Sequence, residues 1–537
     1  MPGIVGVCGD AAIVLDDAIA AMVQFHWHVA SHVTASGEAR GACVALTSPI
    51  MTARVVEHAG ITAWIHGELY GTSDAELARD LFAADAAARL ARIDGNYSVV
   101  AWHRGRRQLR IATDRLGLRH LYRARTDRGL VWASDAKACA IAVGAPTRVE
   151  AATELFEKGH LEDASTWFCG VELVPAATLL VYEPAGQSLV ETTYWRWPDS
   201  PLVVTGAEAA HLRERIVERW HEVHEEHRSR AGAPVLTLSG GQDSRAIFAA
   251  LQATGQRPHC VTFGRPRCLD VTIARDVAAR AGVQHDVCEL TEDNWFDDRE
   301  LSTWITDGQF DLLHMHVLRC LRRCVEVGDV VYNGFLGDAL LGGLYLSTRW
   351  SSEERYRSRG RRFISEGTRM GEAFLLHRLP FCDRELVELS LAVPEALRRN
   401  GWFYGRLLRE TYPTLFGPIA QTPHGARPSA GPIRRVLSAA RYWWTDRYHY
   451  HAYPRWLTTP RSAERLAHAF SPLATVLDER VWRGPVERWQ RAVARGRPLG
   501  EMDTVRVMRL AGMGIWLDQV QSRIAAPARQ RLHRDVA

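Results

Sequence analysis

From residue 1 to about 195 the apolar positions come in short runs that favour Val, Ile, Trp and Tyr and break at Gly, Asp or Asn. "GIVGVCGD", "ITAWIHGELYG", "GNYSVVAWHRGRRQLRIATDRLG", "LVWASDA" and "TLLVYEPAGQSL" are of this kind and predict strands joined by tight turns. One stretch, "SDAELARDLFAADAAARLARIDG", has helical spacing, with Ser73 as its N-cap. A β-rich α+β domain over 1–196 follows. The bridge "YWRWPDSPLVV" then brings two prolines, and a long helix opens at "GAEAAHLRERIVERWHEVHEEHRSRAGA", so the boundary falls between 196 and 206. From 233 onward strands alternate with helices: "PVLTL", "HCVTFG", "VTIARDVAARAG", "HDVCEL", "VVYNG". That order predicts a parallel sheet with helices on its faces, and beyond about 345 the pattern is mostly helical, giving a second domain over 206–537.

Two turns in the second domain carry candidate chemistry. In "PVLTLSGGQDSRAIFAAL" a strand runs into Ser239, Gly240 and Gly241, and a helix opens near Asp243 and Ser244. Glycines let backbone N–H groups approach an anion, and the helix brings its positive end to the same place, so the turn predicts a phosphate cradle. It lacks the GxxxxGK[ST] spacing of the common P-loop. In "VVYNGFLGDALLGGLY" a second strand ends in a glycine-rich turn that carries Asp338. In an α/β sheet both turns lie at the carboxyl edge, where Asp243 and Asp338 can hold magnesium against nucleotide phosphates. Asp338 also suits a helix N-cap, a role compatible with the first.

Composition narrows the class. The chain has 537 residues, 47% hydrophobic and 24% charged, with a net charge of +4 that is too balanced to argue nucleic-acid binding. Only Lys137 and Lys158 are lysines, so no lysine can reach a phosphate in the second domain. Ten cysteines without a CxxC pair, and neither a signal-peptide pattern nor a long apolar span, predict a reduced cytoplasmic protein with no membrane partner. Cys320 and Cys324 read as a buried apolar pair rather than a metal site.

Together these pieces resemble the asparagine synthetase family of glutamine-dependent amidotransferases. "HGELYG" and the stretch 94–138 resemble its amidotransferase domain; SGGQDS, "NGFLGDALLGGLY" and "RLPFCDRELVELSLAVP" follow in the family's order. The resemblance implies an Ntn-hydrolase-like α+β sandwich followed by an α/β parallel-sheet PP-loop ATP-binding synthetase domain with a helical C-terminal part. It also implies ATP and Mg2+ as cofactors, and an acyl-adenylate that an amine resolves into an amide. By the same implication Ser239, Gly240, Gly241, Asp243 and Ser244 hold pyrophosphate, Phe263 and Gly334 border adenosine, and Asp243 with Asp338 binds magnesium.

The departures from that family point to the substrate. The chain begins Met1-Pro2-Gly3 where glutamine-hydrolysing members expose a cysteine, the nearest thiol is Cys8, and the oxyanion-hole asparagine reads His66. A scaffold without glutaminase activity is therefore expected, with the amine supplied by the substrate. After Asn333-Gly334, where ammonia-using members carry a glutamate and β-lactam formers a tyrosine, stands Phe335, which takes no proton. A peptide α-amine, with a pKa near 7.7–8.0, needs less help than an aliphatic amine. The family's adenylate-stabilising lysine is absent from "QTPHGARPSAGP", which leaves Arg427 and His424 as candidate cations. The expectation is a lasso-type macrolactam synthetase acting on a precursor peptide, with a leader-peptide-binding protein and a leader peptidase as partners and no nucleic acid. A β-lactam-forming or ammonia-using synthetase and a non-catalytic ATP-binding scaffold are the alternatives. "EERYRSRGRRF" and "RYWWTDRYHYHAYPRW" suit a substrate rim or partner contact, a solvated helix face or satellite packing.

Overall fold

The structure is a computed structural model that describes the chain except residues 1, 10–12, 14, 35–37, 49, 51, 202, 231, 345, 347–349, 424, 428–430 and 526–537. Its first domain is a sandwich of two six-stranded antiparallel sheets. One sheet contains β1 (Gly3–Gly9), β2 (His28–Thr34), β3 (Ala39–Leu46), β8 (Tyr122–Thr126), β9 (Gly129–Ala133) and β10 (Val171–Leu173), in the order β10-β8-β9-β1-β3-β2. The other contains β4 (Ala53–His58), β5 (Ile61–Tyr70), β6 (Asp94–His103), β7 (Gln108–Thr113), β11 (Thr178–Glu183) and β12 (Ser188–Thr193), in the order β12-β11-β7-β6-β5-β4.

The alternation of each strand sets the layers. Trp64, Trp102 and Trp132 point between the sheets with Ile4, Val100 and Leu180. The outer face of the second sheet is covered by two helices, Asp74–Leu81 and Ala86–Leu90. The sequence reads as one helix there; the break between them lets Leu77, Leu81, Phe82 and Leu90 all enter one apolar layer. Ser73 caps the first of them in a full capping box with Glu76.

The second domain is built on a five-stranded parallel sheet: β13 (Pro234–Thr237), β14 (His259–Gly264), β15 (His285–Glu289), β16 (Val330–Tyr332) and β17 (Leu376–Arg378), in the order β15-β14-β13-β16-β17. The chain moves outward from β13 to β14 and β15, then returns to the other side of β13 with β16 and β17. The order therefore reverses between β13 and β16, which puts a crevice at their carboxyl ends. The C-terminal helix Glu501–Val520 is buried along much of its length, and its Trp516 meets Trp167 of the first domain.

Buried charges tie the domains together. Arg378 of β17 forms a fork with Glu68 of β5 at 3.1 and 3.0 Å. Lys137, with no exposed surface, lies 3.0 Å from Asp135 and 3.1 Å from Asp307, and Arg369 reaches the same two carboxylates. The arginine-rich stretch around residue 360 belongs to this seam. Arg361 donates to the carbonyls of Gly117 and Val174, Arg362 to those of Leu161 and Ser165, and Tyr356 to that of Leu116. Tyr356, Arg361 and Arg362 form an interdomain clamp, while Arg357 and Arg359 stay exposed.

Candidate active site

The strand β13 ends at Thr237 and the helix Gln242–Ala253 begins with Gly241 as its N-cap. Between them the Ser239 N–H donates to Ser244 Oγ at 3.1 Å, and the Gly241 N–H donates to Ser239 Oγ at 3.2 Å. The Gly240 N–H is held by Asp270 at 3.0 Å. Asp270 stands in the first turn of the helix Leu269–Ala281, so an acidic side chain occupies one donor of the cradle.

The second turn, after β16, comes against the first. Asp243 accepts from the backbone N–H of Asp338 at 3.1 Å and from the Tyr404 hydroxyl at 2.9 Å. The glycines Gly334 and Gly337 permit this approach: a Cβ at Gly334 would lie 2.7 Å from Asp243 Cβ, and one at Gly337 2.6 Å from its Cγ. Burial, and then the neighbouring Asp338, push the Asp243 carboxyl up to about 7. Burial also raises Asp338. Two carboxylates that resist ionising side by side, with no third acidic or histidine ligand grouped with them among the described residues, fit a cation that takes one or two protein carboxylates and completes its shell with phosphates and water. Magnesium has that habit, and it would neutralise charge on the phosphates there.

Two adjoining cavities open at this place. One, of about 330 Å3, is lined by Ser239, Asp243, Ser244, Phe263, Gly334 and Tyr450, so five of the seven residues expected around pyrophosphate and adenosine share one hollow, Gly240 and Gly241 not lining it. The other, of about 480 Å3, shares Asp243, Phe263 and Gly334 with it and extends past Asp338 and Phe335 to Phe310, Phe363 and Leu344. Phe263 stands between them, its ring against His316 and Tyr450.

Several residues here carry no motif in the sequence. His314 lines the larger cavity with its Nδ1 2.6 Å from Asp311 Oδ1, and Asp311 is buried. His377, at 3% exposure, borders the same cavity, and both of its ring nitrogens lack a hydrogen-bond partner. Burial, then the Arg119 charge, lowers it to about 3, so it is neutral. The only signal for the Asp311 and His314 pair is its spacing in "DLLH", which is uninformative without the fold.

Arg245, fully buried, follows Ser244 and donates to the carbonyls of Gly241 and Ala420 at 3.1 Å each. It brings a cation directly behind the cradle. Gln421 and Ala426 pair beside it, the Thr422 N–H donates to the Gly240 carbonyl at 3.1 Å, and the Thr422 methyl stands where a Gly240 side chain would go. Arg427 follows Ala426 with its side chain exposed; His424 lies outside the described residues.

The first domain holds no comparable site among its described residues. Cys8 is buried in β1, its thiol pushed up to about 12 by burial and by Glu38. His66 is buried with its Nδ1 3.4 Å from the Ser134 hydroxyl, and burial keeps it neutral. Neither is an activated nucleophile.

Residues 63–195 match the glutamine amidotransferase domain family, and residues 226–374 match the asparagine synthase family. The chain joins a glutamine amidotransferase domain to an asparagine synthase domain. The synthase match contains the cradle, Asp338 and β13 to β16, and its family comprises ATP-dependent carbon–nitrogen ligases. Among curated proteins, Amidase chry2 of Gibberella zeae is 25% identical over 290 residues, 47% of this chain and 42% of that protein. Two solved structures align over 53% of this chain and 80% of their own. The allosteric regulatory enzyme of purine biosynthesis does so at 10% identity and a TM-score of 0.27. The glutamine phosphoribosylpyrophosphate amidotransferase of B. subtilis, solved with ADP and GMP, does so at 12% and 0.26. No helix among the described residues is long and apolar enough to cross a membrane.

Proposed function

We propose that the protein is an ATP- and magnesium-dependent macrolactam synthetase. It activates an Asp or Glu side-chain carboxylate of a precursor peptide as the adenylate, with loss of pyrophosphate. The peptide's own N-terminal amine then displaces AMP and closes an amide. The observation that carries this reading is the wall of the larger cavity. Phe310, Phe335, Phe363 and Leu344 surround the approach to Asp243 and Asp338, and Arg359 is the one arginine among the lining residues. A free amino acid would need partners for both its ammonium and its α-carboxylate, whereas a folded-back peptide presents amide and apolar surface. The Phe335 ring, which takes no proton, suits an amine that is partly neutral at pH 7. Buried neutral groups at Cys8 and His66 agree with an amine that does not come from glutamine. A leader-peptide-binding protein and a leader peptidase belong to this reading as suppliers of the substrate.

The test mixes protein, ATP and magnesium with a linear peptide that carries an N-terminal glycine and an Asp or Glu placed to close a small ring. Peptide-dependent AMP release with loss of one water from the peptide supports the reading. AMP release with aspartate and ammonia alone assigns the protein to the ammonia-using synthetases instead, and ATP binding without AMP in either mixture assigns it a scaffold role.

A further inference from the structure

The helix Pro432–Trp444 carries its amphipathicity outward. Ile433, Val436, Leu437, Ala440, Trp443 and Trp444 recur at helical spacing on one face, and that face meets solvent: Ile433 is 75%, Leu437 64% and Trp444 92% exposed. The opposite face rests on the protein through polar or small groups. The Ser438 hydroxyl donates to the Gly425 carbonyl at 2.9 Å, and the Tyr442 ring packs on Gly425. An ordinary surface helix shows the reverse arrangement. Arg434 and Arg441, both exposed, flank the stripe, and the helix contains no acidic residue.

The charge and the size of the stripe decide what covers it. Its six side chains lie on 13 residues, about 20 Å of helix. A stable protein partner, or a second copy of this chain, needs roughly 20–30 residues on each side. A lipid surface needs only one helix with an apolar stripe, a basic flank and tryptophans at the boundary between hydrocarbon and headgroups. Arg434 and Arg441, which pair with no acidic side chain among the described residues, select an anionic surface. We propose that the helix Pro432–Trp444 seats the protein on an anionic membrane surface. The expectation of no membrane partner rests on the missing spanning segment, which a helix lying in the interface does not require. Tyr442 packs on Gly425, the Gly425 N–H donates to the Gln421 carbonyl, and the adjacent Thr422 holds Gly240, so seating this helix fixes the nucleotide cleft relative to the bilayer.

The experiment is flotation of the full-length protein with vesicles of phosphatidylcholine alone or with 3:7 phosphatidylglycerol to phosphatidylcholine (about one-third anionic lipid, which reads the electrostatic share of binding). Wild type is expected to float with the anionic vesicles, less with the neutral ones, and less at high salt. Leu437→Asp is expected to reduce flotation at least about tenfold, since a charge in the apolar stripe opposes insertion. Its melting temperature should stay near that of wild type, because the side chain is 64% exposed. Trp444 fluorescence should shift to the blue only with the anionic vesicles. Wild type that stays in solution with both vesicle types overturns the proposal. So does a concentration-dependent dimer that Leu437→Asp dissolves without any change in flotation, an outcome that gives the face to a second copy.

Discussion

The backbone N–H of Asp338 donates to the carboxylate of Asp243 across 3.1 Å, so the turn after β16 is fastened to the turn after β13 through one side chain. That side chain is also the one whose ionisation the fold resists, through burial first and the Asp338 charge second.

Asp243 accordingly costs stability at neutral pH. Its native value of about 7 exceeds its ordinary 3.8, so the folded protein binds more protons than the unfolded chain between those values. Stability from this group falls as pH rises from about 4 through 7, by at most roughly 4 kcal/mol. Asp243→Asn is expected to flatten this part of the pH profile in chemical denaturation without ligand. The asparagine keeps one oxygen to accept the Asp338 N–H and can donate its amide to the Tyr404 hydroxyl, so both contacts can persist. The same variant should stop AMP release. A profile identical to wild type would remove Asp243 as the source of the slope.

The glycine at 337 is a second point of contact. A methyl there would meet Asp243 and also come 2.9 Å from Phe381. Gly337→Ala is expected to cost about 1–3 kcal/mol of stability and to abolish ATP use at temperatures where it stays folded. Gly431→Ala, where a Cβ meets nothing, is the control. Thermal melts and AMP release read both.

The cradle was legible because its chemistry is local: a strand, two glycines and a helix start occupy one short stretch of chain. The second turn was legible for the same reason, and the reversal of strand order between β13 and β16 brings the two together. Arg245 was hidden because an arginine in a helix pattern does not announce that backbone carbonyls will hold it behind an anion site. The Asp311 and His314 pair was hidden because a cavity made by β16, β17 and the segments around 310 and 363 is a property of tertiary packing. Arg361 and Arg362 do not read as buried from the sequence, because their partners are carbonyls in the other domain, more than 180 residues away in the chain.

On the proposed reading His314 is a candidate base, since it lines the larger cavity and the Asp311 carboxylate 2.6 Å from Nδ1 orients its ring. His314→Gln is expected to slow amide formation by about 10²-fold while ATP–pyrophosphate exchange with the carboxylate substrate stays near wild type. Asp311→Asn should show the same split to a smaller degree. Equal losses in both half-reactions would reduce the pair to a structural N-cap of the 3-10 turn Leu312–Val317.

The fork between Arg378 and Glu68 predicts that the two domains stand or fall as one unit. Burial alone would raise the Glu68 carboxyl, but the Arg378 charge and its hydrogen bonds hold it below its ordinary 4.5. Its contribution is therefore complete above about pH 4.5 and is lost as pH falls through the lower native value. Glu68→Gln leaves the Arg378 guanidinium buried beside a neutral amide, at an expected cost of about 3–5 kcal/mol in urea denaturation at pH 7. The double variant Glu68→Leu with Arg378→Met removes both charges and should recover much of that loss, since a buried pair is often replaceable by apolar groups of similar volume. Arg378 also donates to the His227 carbonyl at 3.1 Å, which the methionine cannot replace, so recovery is expected to stop short of wild type by about 1 kcal/mol. Two separate unfolding transitions in Glu68→Gln, where wild type shows one, would identify this fork as the contact that couples the domains. A single transition at unchanged midpoint would assign the coupling to Lys137, Asp307 and Arg369.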